Sequence, residues 1–221
     1  MKTIVTSPTW LRARRCAVNM LGDSSGIAAT EFAVIVPLML AMFFGTVELS
    51  SALAVKRKVT LVARTLSDLT SQSPANAQAQ ASIADADLQN IFAVSSAILT
   101  PYTVTPVQPT ISQIYIDASK IAKIQWSKSA TLSLVSGAPK AVLKDSSHAK
   151  GDVVTIPPGL QIADTYLIWS EVDYQYVPAV GYLMNKLGVP LHGATYTRPR
   201  YSDCVDYPAP TGSAKSCSAG S

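Results

Sequence analysis

Few side chains of this 221-residue chain are suited to chemistry, and they are scattered. The two histidines are His148 and His192. His148 sits in Lys144-Asp145-Ser146-Ser147-His148-Ala149-Lys150, where acids and hydroxyls stand close enough in sequence to raise hydrolase chemistry. No serine, however, stands in the strand-to-helix turn that presents an acyl-transfer nucleophile, so His148 is expected to be a solvated loop histidine. Two histidines without a close Cys/Asp/Glu cluster do not make a zinc site. No phosphate-cradling glycine motif is present, so no metal, no cofactor and no catalytic role are expected. Of three cysteines, Cys16 lies near the N-terminus, and Cys204 and Cys217 lie near the other end. If a membrane separates them, Cys204 and Cys217 face an oxidising space and can pair; the other reading is two free thiols in a polar tail. One acid, Glu31, stands at the start of otherwise apolar text.

The elements that would carry these residues begin with a leader. Only 14% of residues are charged, against about 25% in soluble domains. The formal charge is +4, but Lys2, Arg12, Arg14 and Arg15 precede Gly26 with a single acid, Asp23. Fourteen basic residues against thirteen acidic ones remain beyond it, so nothing suggests a nucleic-acid stripe. Arg14-Arg15 lacks the rest of a twin-arginine signal. From Ile27 to Val55 the text is apolar, and as helix it would be about 43 Å long, against about 30 Å of hydrocarbon. Glu31 and Glu48 would then lie near the two interfaces, about 25 Å apart, and Lys56, Arg57 and Lys58 would reach headgroups beyond. The run is too long for a secretory signal peptide, and no cleavage site follows it cleanly. A cytoplasmic N-terminus fits the short basic leader and the paired cysteines.

Val59, Val62, Leu66 and Leu69 recur at three- and four-residue steps, which continues the helix with one apolar face. Gln72 to Ala81 reads as a linker, and Ile83 to Leu99 as a second helix. Strand text follows. Ile111 to Asp117 alternates, Asp117 to Lys120 is a turn, and Ile121 to Ser129 completes a hairpin. Ser136 to Pro139 and Asp145 to Asp152 read as loops. Asp164 to Val177 is the densest strand text, followed by a helical piece over Val180 to Leu187 and a short strand over Ala194 to Arg200. Tyr166, Trp169, Tyr174 and Tyr176 on the dense strand could face a carbohydrate or protein surface, but strand aromatics more often pack half-buried. The expected fold is α+β. It comprises a leader over 1–26, a transmembrane helix over 27–55, a membrane-proximal helical region over 56–100, an exported domain with a mainly antiparallel sheet over 101–207, and a flexible tail over 208–221.

One constellation joins these elements: Gly26-Ile27-Ala28-Ala29-Thr30-Glu31-Phe32, a glycine after a basic leader, a glutamate five residues on, and an apolar helix continuing. It resembles the processing site of type IV prepilins, which implies cleavage between Gly26 and Ile27 by a membrane peptidase on the cytoplasmic face. Cleavage would put an α-ammonium at the head of the helix, where Glu31 offsets it in register with a neighbouring subunit. Pro37 removes one helix hydrogen bond eleven residues past Gly26. With Glu31 and Phe32 it completes Ala-Thr-Glu-Phe-Ala-Val-Ile-Val-Pro, which closely resembles the A-x-E-F-A-x-x-x-P segment of TadE- and TadG-like proteins. Looser matches follow: a strand ending at Trp126-Ser127, Ile156-Pro157-Pro158-Gly159-Leu160, the Tyr-rich strand from Glu171 to Pro178, and Arg198-Pro199-Arg200. The resemblance implies a minor pilin, pseudopilin or assembly factor of an adhesive Tad (Flp) pilus. It is expected in the inner membrane with its C-terminal domain periplasmic. Other pilins, the pilus inner-membrane machinery and a prepilin peptidase are the implied partners. The rivals are an uncleaved, anchored envelope protein and an anchored envelope hydrolase.

Overall fold

The computed structural model describes residues 25–74, 81–178 and 188–209. Helix α1 spans Ser25–Ser71. The chain divides into two compact units, Met1–Leu49 and Ser50–Ser221. In the first, the described part is helix alone. In the second, the elements after α1 are β1 (Ala81–Ser82), α2 (Asp85–Ser96), β2 (Val107–Ile116), β3 (Ala122–Val135), β4 (Ala138–Asp145), β5 (Val153–Val154), β6 (Thr165–Tyr176), β7 (Val189–Thr197) and β8 (Val205–Asp206).

The main sheet runs β4-β3-β2-β6-β7, with β5 beside β3, and every pairing in it is antiparallel. The architecture is the α+β class expected from the sequence. The β2–β3 hairpin turns at Asp117 to Lys120, where the Lys120 N–H donates to Asp117 O over 2.8 Å. Gln113 pairs with Trp126 and Ile114 with Ile124, so Gln125 is an extra residue, a bulge that adds local twist. The strand expected over Ile121 to Ser129 instead runs on to Val135, past the Trp126-Ser127 end of the family resemblance. Its continuation pairs with β4, which takes up Ala138 and Pro139 of the loop expected over Ser136 to Pro139 and leaves Ser136 and Gly137 as the turn. Ser136 and Gly137 have φ of +52° and +81° and form a two-residue turn that pairs Val135 with Ala138; two positive φ values match the strand twist. Strand β7 begins at Val189 rather than Ala194. The helical piece expected over Val180 to Leu187 lies outside the described residues.

The sheet has two unlike faces. One packs against Ser50–Ser71 and α2. Val55, Val59, Val62 and Leu66 of α1 and Leu88 and Phe92 of α2 are almost completely buried, against Ile111, Ala130, Leu132, Ile168 and Val172 of the sheet. The three- and four-residue spacing of α1 thus buries the face expected of it, with Leu69 only half-buried. Burying each such aliphatic side chain contributes about 1.5–3 kcal/mol. Hydrophobic packing here is joined by polar clamps: Ser170 Oγ donates to Ala63 O over 2.5 Å, and the Arg200 backbone N–H donates to Ser71 O over 3.0 Å. The second face is apolar only at one end, where Ile156 covers Ile114, Ile116, Ala122 and Leu167. Elsewhere it carries cross-strand hydroxyl pairs, Thr110 with Ser129 and Ser112 with Ser127, each 2.7 Å apart.

A short parallel pair, β1 with β8, closes the edge of the core. Trp126 Nε1–H donates to Val205 O over 2.7 Å, and the Val205 N–H donates to Gln113 Oε1 over 2.6 Å. The C-terminal segment is therefore tied into the domain through Val205 and Asp206.

Candidate functional site

The first unit holds every residue of the prepilin-like constellation that the structure describes. Gly26, Ile27, Glu31, Phe32 and Pro37 all lie within α1, near its start, and the helix runs on through Pro37. Large apolar side chains are exposed around this segment: Phe32 is 68% exposed, Val34 74% and Phe43 61%. An apolar helix of such length, none of whose most apolar stretch is buried by protein, is consistent with a membrane span. Its hydroxyls fit the same environment. Thr30 Oγ1 donates to Ile27 O and Thr46 Oγ1 to Met42 O, both over 2.8 Å, so neither brings an unsatisfied donor into lipid. Glu31 is exposed. It stands one turn from Ile27, the i, i+4 spacing at which side chains and termini of one helix meet. Residues 1–24, and with them most of the leader, lie outside the described residues.

Basic residues after the apolar run divide by direction. The expectation that Lys56, Arg57 and Lys58 all reach headgroups is corrected for the lysines. Lys58 Nζ donates to Ile98 O over 3.2 Å and to Thr100 O, and lies 5.6 Å from the Tyr102 ring centroid. Lys56 Nζ donates to His192 O. Both direct their ammonium to carbonyls of the domain, Lys58 from a half-buried position and Lys56 from an exposed one. Arg57 is exposed.

His148 is corrected in the same way. It is no solvated loop residue: its side chain is 28% exposed, its Nε2 lies 2.8 Å from Glu171 Oε2, and its ring lies 5.0 Å from that of Trp169. The Ser146 hydroxyl is 2.6 Å from Ser127 Oγ and accepts the His148 backbone N–H, so it is turned away from the imidazole. No hydroxyl–imidazole hydrogen bond forms among the described residues, and the pairing holds the loop onto the sheet. His192 Nδ1 lies 2.8 Å from Asp173 Oδ1 on the same face, at the surface. Among the described residues no group of three metal-ligating side chains comes together.

The tyrosine and tryptophan cluster takes the packing reading. Tyr174 and Tyr176 are buried, Tyr166 and Trp169 half-buried, and Trp169 stacks on Tyr196 with centroids 5.9 Å apart. Burial and the neighbouring Glu171 raise the Tyr196 phenol above its ordinary value. A hydrogen bond to Asp164, 3.0 Å long, does the same for Tyr115. Cys204 is fully buried and joined in a disulfide. Cys217, expected to be its partner, lies outside the described residues, as does the tail beyond Ala209.

Sequence reasoning missed Gly193, and it named Arg200 only within Arg198-Pro199-Arg200, without its partner. Gly193 lets β7 lie against the backbone of Val59, and Arg200 pairs with Asp68 of α1. Gly193 fell just outside the strand expected from Ala194; only with β7 beginning at Val189 does it become an isolated Gly inside a strand, the mark of a close backbone approach.

Residues 26–67 match the family described as TadE-like protein. No curated protein and no solved structure matches the chain.

Proposed function

We propose, from the premise that residues 26–67 form a TadE-like domain, that this chain is a minor pilin or pseudopilin, or an assembly factor, of a Tad (Flp)-type adhesive pilus. Its role is structural rather than catalytic. The observation that carries the reading is the exposed apolar start of α1, with Gly26 at its head and Glu31 as the acid of its first turns. The helix anchors the chain in the inner membrane with the leader cytoplasmic and the sheet domain periplasmic. A prepilin peptidase cuts between Gly26 and Ile27. The new ammonium on Ile27 lies one turn from Glu31 of its own helix and within reach of Glu31 on a neighbouring helix. In lipid such a pair sets register more surely than it adds stability. Phe32 and Pro37 shape the same packing surface. The partners are other pilins and the inner-membrane platform of the pilus.

N-terminal sequencing of the membrane-extracted protein tests the processing step. Ile27 at the terminus supports it; Met1 would leave the rival reading, an uncleaved envelope protein that serves assembly from the membrane. Glu31→Gln tests the assembly role: membrane insertion should persist while pilus formation fails. Full piliation by that variant would refute the role given to Glu31.

A further inference from the structure

Residues Ser50–Ser71 of α1 present two opposite sides. At about 100° per residue, Val55, Val59 and Val62 fall on one side, and all three are buried. Arg57 and Arg64 fall on the other, flanked by Leu53 and Leu61, and all four are exposed. A concavity of about 390 Å³ on this side is lined by Lys56, Arg57, Thr60, Leu61 and Arg64, with no acid among them. The Thr60 hydroxyl is spent on Lys56 O over 3.1 Å. Lys56 and Lys58, as described above, turn to carbonyls of the domain. The arginines do not: among the described residues no carboxylate pairs with Arg57 or Arg64. Of the cations on this stretch, the two guanidiniums are thus those not turned to a carbonyl of the domain; a guanidinium pairs with phosphate through two parallel hydrogen bonds and sheds water more easily than ammonium does.

We propose that this side of α1 is a docking surface for the phosphate groups of anionic phospholipids. The inference rests on the reading of the helix start as a bilayer anchor. Two features of the stretch favour a lipid surface over another occupant. The arginines follow the apolar run in sequence, where a juxtamembrane cation attracts anionic headgroups at about 1 kcal/mol each. Exposed leucines alternate with them, which suits the boundary between acyl chains and headgroups. Arg57 and Arg64 are two turns, about 10 Å, apart. Arg57, nearer the apolar run, makes the contact; Arg64 acts across a field that salt screens over about 8 Å. The two should therefore contribute unequally.

The test uses the full chain in phosphatidylcholine nanodiscs carrying a minor fraction of phosphatidylglycerol, with lipid retention read by native mass spectrometry and the melting midpoint read in parallel. Phosphatidylglycerol should be retained over phosphatidylcholine and should raise the midpoint; inorganic phosphate should do neither. Arg57→Gln should lower retention about fivefold and Arg64→Gln about twofold, with Lys140→Gln, on the far edge of the sheet, unchanged. Unchanged retention in Arg57→Gln with a normal circular dichroism spectrum would overturn the proposal. So would an equal shift from inorganic phosphate, which would mark a free-anion site. Vesicle flotation separates the two readings. A chain that fails to float with phosphatidylcholine vesicles overturns the anchor itself, whereas one that floats without headgroup preference overturns only the surface.

Discussion

Gly193→Val should loosen the packing of α1 on the sheet. Gly193 is buried in β7 opposite Val172. A Cβ at this position would stand 3.2 Å from Val59 Cγ1, 3.2 Å from Val59 O and 3.3 Å from Val59 C. Comfortable carbon contacts lie at about 3.5–4.0 Å, so even a methyl group asks the helix backbone to retreat by a few tenths of an ångström. Valine adds two further carbons beyond this already tight Cβ, and overpacking of this kind costs about 1–3 kcal/mol. Removing a glycine from a strand interior returns about 0.5–1 kcal/mol. The net loss is then about 1–2 kcal/mol, which for a domain of this size lowers the midpoint by about 2–8 °C. For Gly193→Ala the two effects nearly cancel, and the midpoint should stay within about 2 °C. Thermal unfolding of the detergent-solubilised chain, followed by circular dichroism, reads both. Val59→Ala removes one of the three clashing atoms and should recover only part of the valine penalty, because the carbonyl remains. A valine variant as stable as the parent would refute the claim that the close approach of helix and strand is what requires glycine.

Other perturbations follow the same packing. Trp126→Phe removes the donor to Val205 O and should cost about 1–3 kcal/mol for the orphaned carbonyl, read as a lower urea midpoint at unchanged slope; no change would show that water replaces the indole. The Tyr207 phenol is pushed up by burial first and then by its hydrogen bond to Asp85. A raised phenol stabilises the fold below the unfolded value near pH 10 and loses that contribution as pH climbs through the folded value. Tyr207→Phe should therefore flatten the fall in stability above about pH 10, and a fall as steep as in the parent would contradict this. Non-reducing peptide mapping should join Cys204 to Cys217; a Cys204 peptide joined to Cys16 would refute that pairing.

What could be read in advance depended on whether the cause lay within one element. The face Val59, Val62 and Leu66 is a statement about helical period, and the structure buries those residues. The β2–β3 hairpin is a statement about alternation and a polar turn, and it forms at the expected turn. Strand β4 escaped notice because Ala138 and Pro139 look like loop text. Pro139 is tolerated there because β4 is an edge strand, where a missing N–H costs little. The pairing of β1 with β8 joins residues more than a hundred positions apart through two residues each, and no periodicity announces so short a ladder. His148 shows the same limit: polar neighbours in sequence implied solvent, while Glu171 and Trp169 reach it across the sheet from positions more than twenty residues away.

The basic run at residues 56–58 shows how much one angle decides. Three consecutive cations look equivalent as text and were expected to act alike. On a helix each is turned about 100° from the next. Once Val55, Val59 and Val62 define the buried side, Lys58 lies at its margin and Arg57 opposite. Lys58 is therefore drawn to the carbonyls of Ile98 and Thr100, and Arg57 is left outward with Arg64, seven residues on. The direction was implicit in the spacing of the valines. What the sequence lacked was the knowledge that a domain would cover them, because that depends on strands some fifty and more residues further along the chain.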